Sequence, residues 1–144
     1  MAFSYRFLDD VALADLAFEA SGDSLHDLFQ GATNALIEAL ADPATVGTTW
    51  SRQIRRQEQD PAALLFDWLS DLVYWKDAAS VVFSKAVLDL RHEGGVLTLD
   101  ATLFGERVDP SVHVLRADVK GVTKHLYELT RADDRWKARV VVDV

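Results

Sequence analysis

The residues best suited to chemistry in this sequence are aspartates near its two ends. Asp9, Asp10 and Asp15 lie in an otherwise apolar N-terminal stretch, and Asp143 lies in the strand-like run Val140–Val144. A carboxylate within a β-strand opposes burial unless a cation, a lysine or backbone donors compensate its charge. If the two runs come together in one small domain, their acids can form a single site.

Oxygen donors of this kind suit a hard divalent cation. Asp15 and Asp143 supply two carboxylates, and the backbone carbonyl or carboxylate of Val144 can supply further oxygens to Ca²⁺ or Mg²⁺. The simpler interpretation is that each aspartate only caps a strand or a turn, and spacing leaves both interpretations open. Zinc is disfavoured because no histidine has another histidine or a glutamate four residues away.

The sequence predicts an α+β fold that would position these acids. Ser24 is a good N-cap for a helix of about 16 residues that ends before Pro43, and Asp60 with Pro61 opens a second helix. Period-two patterns predict strands over residues 3–7, 14–20, 46–56, 82–90, 96–104, 119–129 and 136–144. We therefore expect a mostly antiparallel sheet with two long helices packed on it.

The pairing of the last two strands decides the surroundings of Asp143. Placing Tyr127 opposite Ala138 pairs apolar residues on one face and opposite charges on the other. In this register Asp143 lies opposite Val122. Lys120 and Lys124 then lie diagonally to Asp143 on the same face. The expected register is thus one in which a C-terminal acid has two lysine neighbours.

Composition and charge narrow the class of protein. The chain has 144 residues, 49% of them apolar, and we expect residues 1–144 to form one domain. No apolar run approaches the ~20 residues that span a bilayer, no secretory signal is apparent, and the lack of cysteine fits a cytoplasmic protein. The net charge of −8 argues against strong nucleic-acid binding by the surface as a whole.

Other patterns have two interpretations each. The cluster of Arg52, Arg55 and Arg56 is either an RNA contact or, more simply, the solvated end of a strand. The helical stripe that includes Trp68 and Trp75 is either a partner surface or, more simply, part of the core. The sequence has no phosphate-binding loop, dinucleotide fingerprint or nucleophile elbow.

Five segments in chain order carry a family resemblance. They are Tyr5-Arg-Phe-Leu-Asp9 with Ala14-Asp15-Leu16, Gly22–Phe29, Leu64–Tyr74, Val119–His125 and Val140–Val144. Each is short, but their order and separations together resemble archease, a family of small SHS2-type domains that act with RNA ligases. The resemblance covers essentially the whole chain from Tyr5.

The resemblance implies a function and a site. Archease-like proteins are cofactors of the GTP-dependent RtcB-type RNA ligase, which joins a 2′,3′-cyclic phosphate or 3′-phosphate end to a 5′-hydroxyl end. They promote guanylylation of the ligase and are not themselves enzymes. The family's metal site maps to Asp15, Asp143 and Val144, with calcium the expected ion and magnesium or manganese as alternatives. The family's functional lysine maps to Lys120.

One segment departs from the family pattern, and two other functions remain open. The stretch from Asp9 to Asp15 is two residues longer than its family counterpart and lacks the usual histidine and threonine, so we expect the loop that presents Asp15 to differ in shape. A chaperone-like or scaffolding module would use an apolar helix face to bind a client. A metal-dependent hydrolase would use the two aspartates, but it lacks an obvious nucleophile or base.

Overall fold

Seven strands and two α-helices make up the part of the chain that the computed structural model describes, residues 2–8 and 15–144. The helices are α1, Leu25–Leu40, and α2, Pro61–Ala79. The strands are β1, Phe3–Leu8; β2, Asp15–Gly22; β3, Trp50–Glu58; β4, Val81–Glu93; β5, Val96–Arg107; β6, Gly121–Ala132; and β7, Arg135–Asp143.

The strands form two antiparallel sheets. One sheet has four strands in the order β1-β2-β7-β6, and the other has three in the order β3-β5-β4. Helix α1 packs mainly against β1, β2 and β4, and α2 packs mainly against β3 and β6. The expected class, α+β with antiparallel strands and two long helices, is confirmed.

Both helices begin where their capping residues predict. The Ser24 hydroxyl accepts a hydrogen bond from the Asp27 N–H at 3.1 Å, and the Asp60 carboxylate accepts one from the Ala62 N–H at 3.2 Å. Pro61 occupies the first helical position, where its missing N–H costs no hydrogen bond. Among the described residues, neither helix combines the length and apolar character needed to cross a bilayer.

The stripe on α2 belongs mainly to the core. Trp68 and Leu72 are fully buried within one apolar cluster that draws on both helices and both sheets. Trp75 is half-buried, and the guanidinium of Arg52 lies 3.9 Å from the centroid of its ring. The simpler of the two sequence interpretations therefore holds for this stripe.

One predicted strand begins later than its pattern indicates. The strand expected from residue 46 starts at Trp50, because a short 3₁₀ helix over Pro43–Thr45 intervenes. Asp42 caps this turn by accepting the N–H of Ala44 at 3.0 Å. The N–H of Val46 donates to the Pro43 carbonyl at 3.1 Å, which keeps residue 46 in the turn.

The predicted register of the last hairpin is wrong near its turn. Leu129, and not Tyr127, lies opposite Ala138. The reason is the turn itself, which consists of only Asp133 and Asp134, with φ of 55° and 60°. Two consecutive positive φ angles are typical of the tight hairpin turns that match strand twist. This turn shifts the pairing by two residues from the predicted one.

An irregular stretch in β6 shifts the pairing again further along the hairpin. The ladder is interrupted between Thr123 and Glu128, and Leu126 within that stretch has a φ of 55°. Glu128 lies opposite Arg139, with 3.1 Å between carboxylate and guanidinium, and not opposite Lys137 as predicted. The charge pairing expected for this face is therefore present, but with a different basic residue.

Candidate functional site

Two aspartates meet at the end of the four-stranded sheet where β2 begins and β7 ends. Asp15 is the first residue of β2, Asp143 is the last residue of β7, and the two are direct partners across the ladder. Side chains of directly opposed residues leave the same face, with Cβ atoms about 4.5–5.5 Å apart. Asp143 is exposed and Asp15 is half-buried, so both carboxylates can be reached from solvent.

Lys120 lies beside this pair, but in a different way from the one predicted. Asp143 lies opposite Gly121, and not opposite Val122. The backbone N–H of Lys120 donates to the Asp143 carbonyl at 2.7 Å, which fixes the lysine immediately before β6. Its side chain is exposed, so the ammonium group is available to a bound partner.

Lys124 does not flank Asp143 as predicted, because it falls in the irregular stretch of β6. Its ammonium group lies 3.8 Å from the centroid of the Phe66 ring on α2, a cation–π contact. Tyr127 anchors the same stretch by donating its hydroxyl to the Ala62 carbonyl at 2.6 Å. Burial raises the pKa of Tyr127, helped by the charges of nearby aspartates. Lys124 therefore fastens the sheet to α2.

The donor set suits a hard cation only in part. Asp15 and Asp143 offer two carboxylates, and Val144, exposed and next in the chain, offers main-chain oxygen. Ca²⁺ usually takes six to eight oxygen ligands, and within residues 2–8 and 15–144 no three acidic, histidine or cysteine side chains are arranged so that they could hold a metal ion. Asp9 and Asp10 lie outside these residues. Within the described residues, the main chain is the remaining source of oxygen ligands, beside water or a partner.

The histidines do not gather into one centre. His113 is buried, its Nδ1 accepts the Asp109 N–H at 3.0 Å, and its Nε2 lies 2.9 Å from the Glu106 carboxylate. Glu106 also accepts the Gly47 N–H at 2.8 Å, and these hydrogen bonds lower the pKa of its carboxyl. His125 falls in the irregular stretch of β6, whereas the register predicted from Tyr127 and Ala138 would place it opposite Val140. Sequence reasoning missed the contact between Gly47 and Glu106, because these residues lie far apart in the chain and approach only when it folds.

The three arginines of the basic cluster on β3 contact other side chains of the same molecule. Each arginine has an internal partner: Arg52 with Trp75, Arg55 with Asp100, and Arg56 with Asp71. The Arg56 pair is bidentate, with distances of 2.6 and 2.8 Å, and its carboxylate is largely buried. These contacts favour a structural role for the cluster over an RNA contact.

The family of the chain follows from comparison with known proteins. A model of the Archease protein family matches residues 5–144, nearly the whole chain. The chain belongs to the archease family. The matched range includes the residues that form the pair at the sheet end, Asp15 and Asp143.

Relatives of the archease family match over nearly their whole lengths. Protein archease of Methanosarcina acetivorans is 34% identical over 141 residues, covering 97% of this chain and 95% of the relative. The solution structure of Methanobacterium thermoautotrophicum protein 1598 superposes with a TM-score of 0.83 at 32% identity, covering 97% of this chain and 98% of that one. The archease of Thermotoga maritima, described as a possible chaperone, has a TM-score of 0.61 at 22% identity and shows the shared fold.

Proposed function

We propose that this member of the archease family activates a GTP-dependent RtcB-type RNA ligase in the cytoplasm, in tRNA splicing or RNA repair. In this role it promotes guanylylation of the ligase's active-site histidine and so allows multiple turnover. Family membership supports the proposal. The observation that carries it is the direct pairing of Asp15 with Asp143, with exposed Lys120 bound to the same residue through its backbone.

Each group at this sheet end has a separate task in the proposed function. The Asp15 and Asp143 carboxylates and the main-chain oxygen of Val144 would hold a divalent cation, calcium in the first instance, with magnesium or manganese as alternatives. When bound, the cation would offset negative charge on a nucleotide phosphate. Lys120 adds a mobile positive charge that can reach a phosphate during transfer.

The protein itself is proposed to be an accessory factor and not an enzyme. Its sequence contains no phosphate-binding loop and no nucleophile–base motif. We therefore expect the pure protein neither to join RNA nor to hydrolyse GTP. A substoichiometric amount should raise the turnover of its cognate ligase. Robust GTP hydrolysis by the pure chain would contradict this role.

Single-turnover guanylylation of the ligase tests the site directly. We expect Lys120→Ala to lower the rate at saturating archease by about tenfold or more, since the lysine is proposed to stabilise charge that develops in transfer. Asp15→Asn and Asp143→Asn should also lower it. Lys120→Ala and Asp143→Asn should melt near the wild-type temperature, because changes at exposed positions usually have small effects on stability.

Two matched controls lie at the opposite end of the same hairpin. Asp133→Asn makes the same change of charge in the turn, where asparagine tolerates positive φ equally well. Lys137→Ala removes an exposed lysine from β7. Both controls should activate the ligase like wild type. If Lys120→Ala also activates it fully, the proposed role of Lys120 is wrong.

A chaperone-like function is the second candidate. It matches the description of the Thermotoga maritima protein as a possible chaperone. The helix face expected to bind a client is, however, largely internal, since Trp68 and Leu72 are fully buried. Suppression of aggregation of an unfolded client protein, unaffected by Asp143→Asn and Lys120→Ala, would favour this alternative over ligase activation.

A further inference from the structure

A second candidate site lies at the end of the molecule opposite the aspartate pair. A cavity of about 430 Å³ opens among the first turns of α1 and α2, the β4–β5 hairpin and the β6–β7 hairpin. Trp136 in its wall lies opposite Gly22, whereas Asp143 lies opposite Asp15. Seven residues of extended strand place the two sites roughly 24 Å apart.

The floor of the cavity is apolar. Leu97 is buried and Leu25 and Leu90 are half-buried beneath it, and Pro61 closes one side. The half-buried Trp136 supplies an aromatic surface. The cavity falls within the 300–1,000 Å³ typical of small-molecule sites, which are mostly apolar with a few polar groups.

The polar groups around the cavity are basic or neutral. Arg91, Arg131, His26, His92 and Gln59 line it, and none of the described lining residues is an aspartate or glutamate. The N–H groups at the beginning of both helices add positive potential. Asp27 and Asp60, at the same two helix starts, partly offset that potential.

Arg131 is the cation best placed to bind an anion. Its guanidinium lies 5.3 Å from the centroid of the Trp136 ring, so cation and aromatic surface are presented together. Its carboxylate neighbour Asp134 is 3.8 Å away and almost fully exposed, so that contact is weak. Arg91, in contrast, is neutralised by a close contact with Asp100.

We propose that this cavity binds a nucleoside phosphate. The base would pack on the surface formed by Trp136 and the planar guanidinium of Arg131, as bases do on aromatic rings and arginines. Arg131 would also bind the phosphate, assisted by His92 at the rim. Gln59, which also lines the cavity, would contact the edge of the base through its amide. The net negative charge disfavours binding of nucleic acid over the surface as a whole, but it does not prevent one small cavity from binding a single nucleotide.

The experiment is a titration of the full-length, isotopically labelled protein with AMP, followed by the NMR signal of the Trp136 indole N–H. The signal is assigned by its loss in Trp136→Phe. We expect a saturable shift, with Arg131→Gln weakening AMP binding by at least tenfold. Arg131 is exposed, so this variant should remain folded. The matched control is Arg139→Gln, which removes a paired arginine from the outer face of β7 and should bind AMP like wild type.

Inorganic phosphate and adenosine separate the two halves of the proposed ligand. Each should bind at least tenfold more weakly than AMP, since neither uses both the cation and the ring. A single-stranded hexaribonucleotide identifies the source: tighter binding than AMP at the same signal indicates an RNA strand, and equal or weaker binding indicates a free nucleotide. The proposal is overturned if AMP gives no saturable shift, if Arg131→Gln binds it normally, or if phosphate binds as well as AMP.

Discussion

At the scale of single residues, neighbouring acids take different roles according to their partners. Asp15 and Asp143 face each other across a ladder at an accessible sheet end, and neither carboxylate forms a salt bridge within residues 2–8 and 15–144. Asp71, by comparison, is nearly buried and bound by two hydrogen bonds to Arg56. An acid whose carboxylate is fully hydrogen-bonded within the protein, such as Asp71, is structural. Two solvent-accessible carboxylates that lack such hydrogen bonds among the described residues are candidate metal ligands.

The first residue-scale prediction concerns metal binding. Asp143→Asn should weaken Ca²⁺ binding by at least about tenfold, because it removes one of two carboxylates from a site that needs many oxygen ligands. Wild-type binding itself should be weak for the same reason. Calorimetric titration measures both, with Asp133→Asn as the control for loss of one negative charge. Equal Ca²⁺ affinity in wild type and Asp143→Asn would remove Asp143 from the site.

A second residue-scale prediction concerns stability. The buried Thr33 hydroxyl donates to the Phe29 carbonyl at 2.6 Å and accepts the Trp68 indole N–H at 2.8 Å. Thr33→Val should lower the free energy of unfolding by about 1–3 kcal/mol, because it leaves that indole N–H buried without an acceptor. Thr33→Ser keeps the hydroxyl and should cost less. Urea unfolding of the two variants decides, and an equal loss in both would show that the hydrogen bond contributes little.

At the scale of elements, a buried polar contact holds the segment between β5 and β6 to the rest of the protein. His113, in this segment, hydrogen-bonds to Glu106 on β5, and Glu106 accepts the N–H of Gly47 ahead of β3. Backbone bonds from Arg116 and Ala117 to the end of α1 continue the attachment. This segment leads directly into Lys120, so its attachment helps to position the candidate site.

The element-scale prediction is acid sensitivity of this attachment. Hydrogen bonds from His113 and Gly47 lower the pKa of Glu106 in the folded protein. Its contribution to stability is therefore complete above the unfolded pKa of about 4.3, and it is lost as the pH falls through the lower folded pKa. Thermal melts from neutral pH to about pH 3 should show a smaller acid-induced loss of stability in Glu106→Gln than in wild type. Exposed Glu93→Gln should behave like wild type, and identical acid profiles for all three would contradict the assignment.

At the scale of the whole molecule, the four-stranded sheet separates two sites of opposite character. Acidic residues occupy the end where β2 begins, and basic and aromatic residues surround the cavity at the other end. Both helices begin at the cavity end and finish towards the acidic end. The positive ends of both helix dipoles thus lie near the cavity, where Asp27 and Asp60 partly offset them.

The whole-molecule prediction is that the two sites act independently. Substitutions more than about 10 Å apart without shared partners usually have additive effects, and these sites are separated by roughly 24 Å of strand. Arg131→Gln should leave the maximum rate of ligase guanylylation unchanged, and Asp143→Asn should leave AMP affinity unchanged. The double variant should bind AMP as weakly as Arg131→Gln and activate ligase guanylylation as poorly as Asp143→Asn. A change in AMP affinity on Asp143→Asn would reveal coupling through the sheet.

The sequence by itself determined the features that depend on neighbouring residues. Capping by Ser24 and by Asp60 with Pro61 located both helices, because an N-cap acts within one turn. Ordered segments along the chain were enough to indicate the family and the α+β class. The approach of Asp15 to Asp143 could be proposed as a possibility only, since pairing between strands at opposite ends of a chain is not encoded locally.

The tertiary structure alone decided the division into two sheets, the register and the far cavity. The register depended on a two-residue turn at Asp133 and Asp134 and on an irregular stretch around Leu126, all with positive φ that these residue types do not require. Cross-strand preferences of about 0.2–1 kcal/mol per pair cannot outweigh such constraints. The cavity joins Arg131 to residues far away in the chain, such as Leu25. Packing of distant elements brings them together, and no local pattern records it.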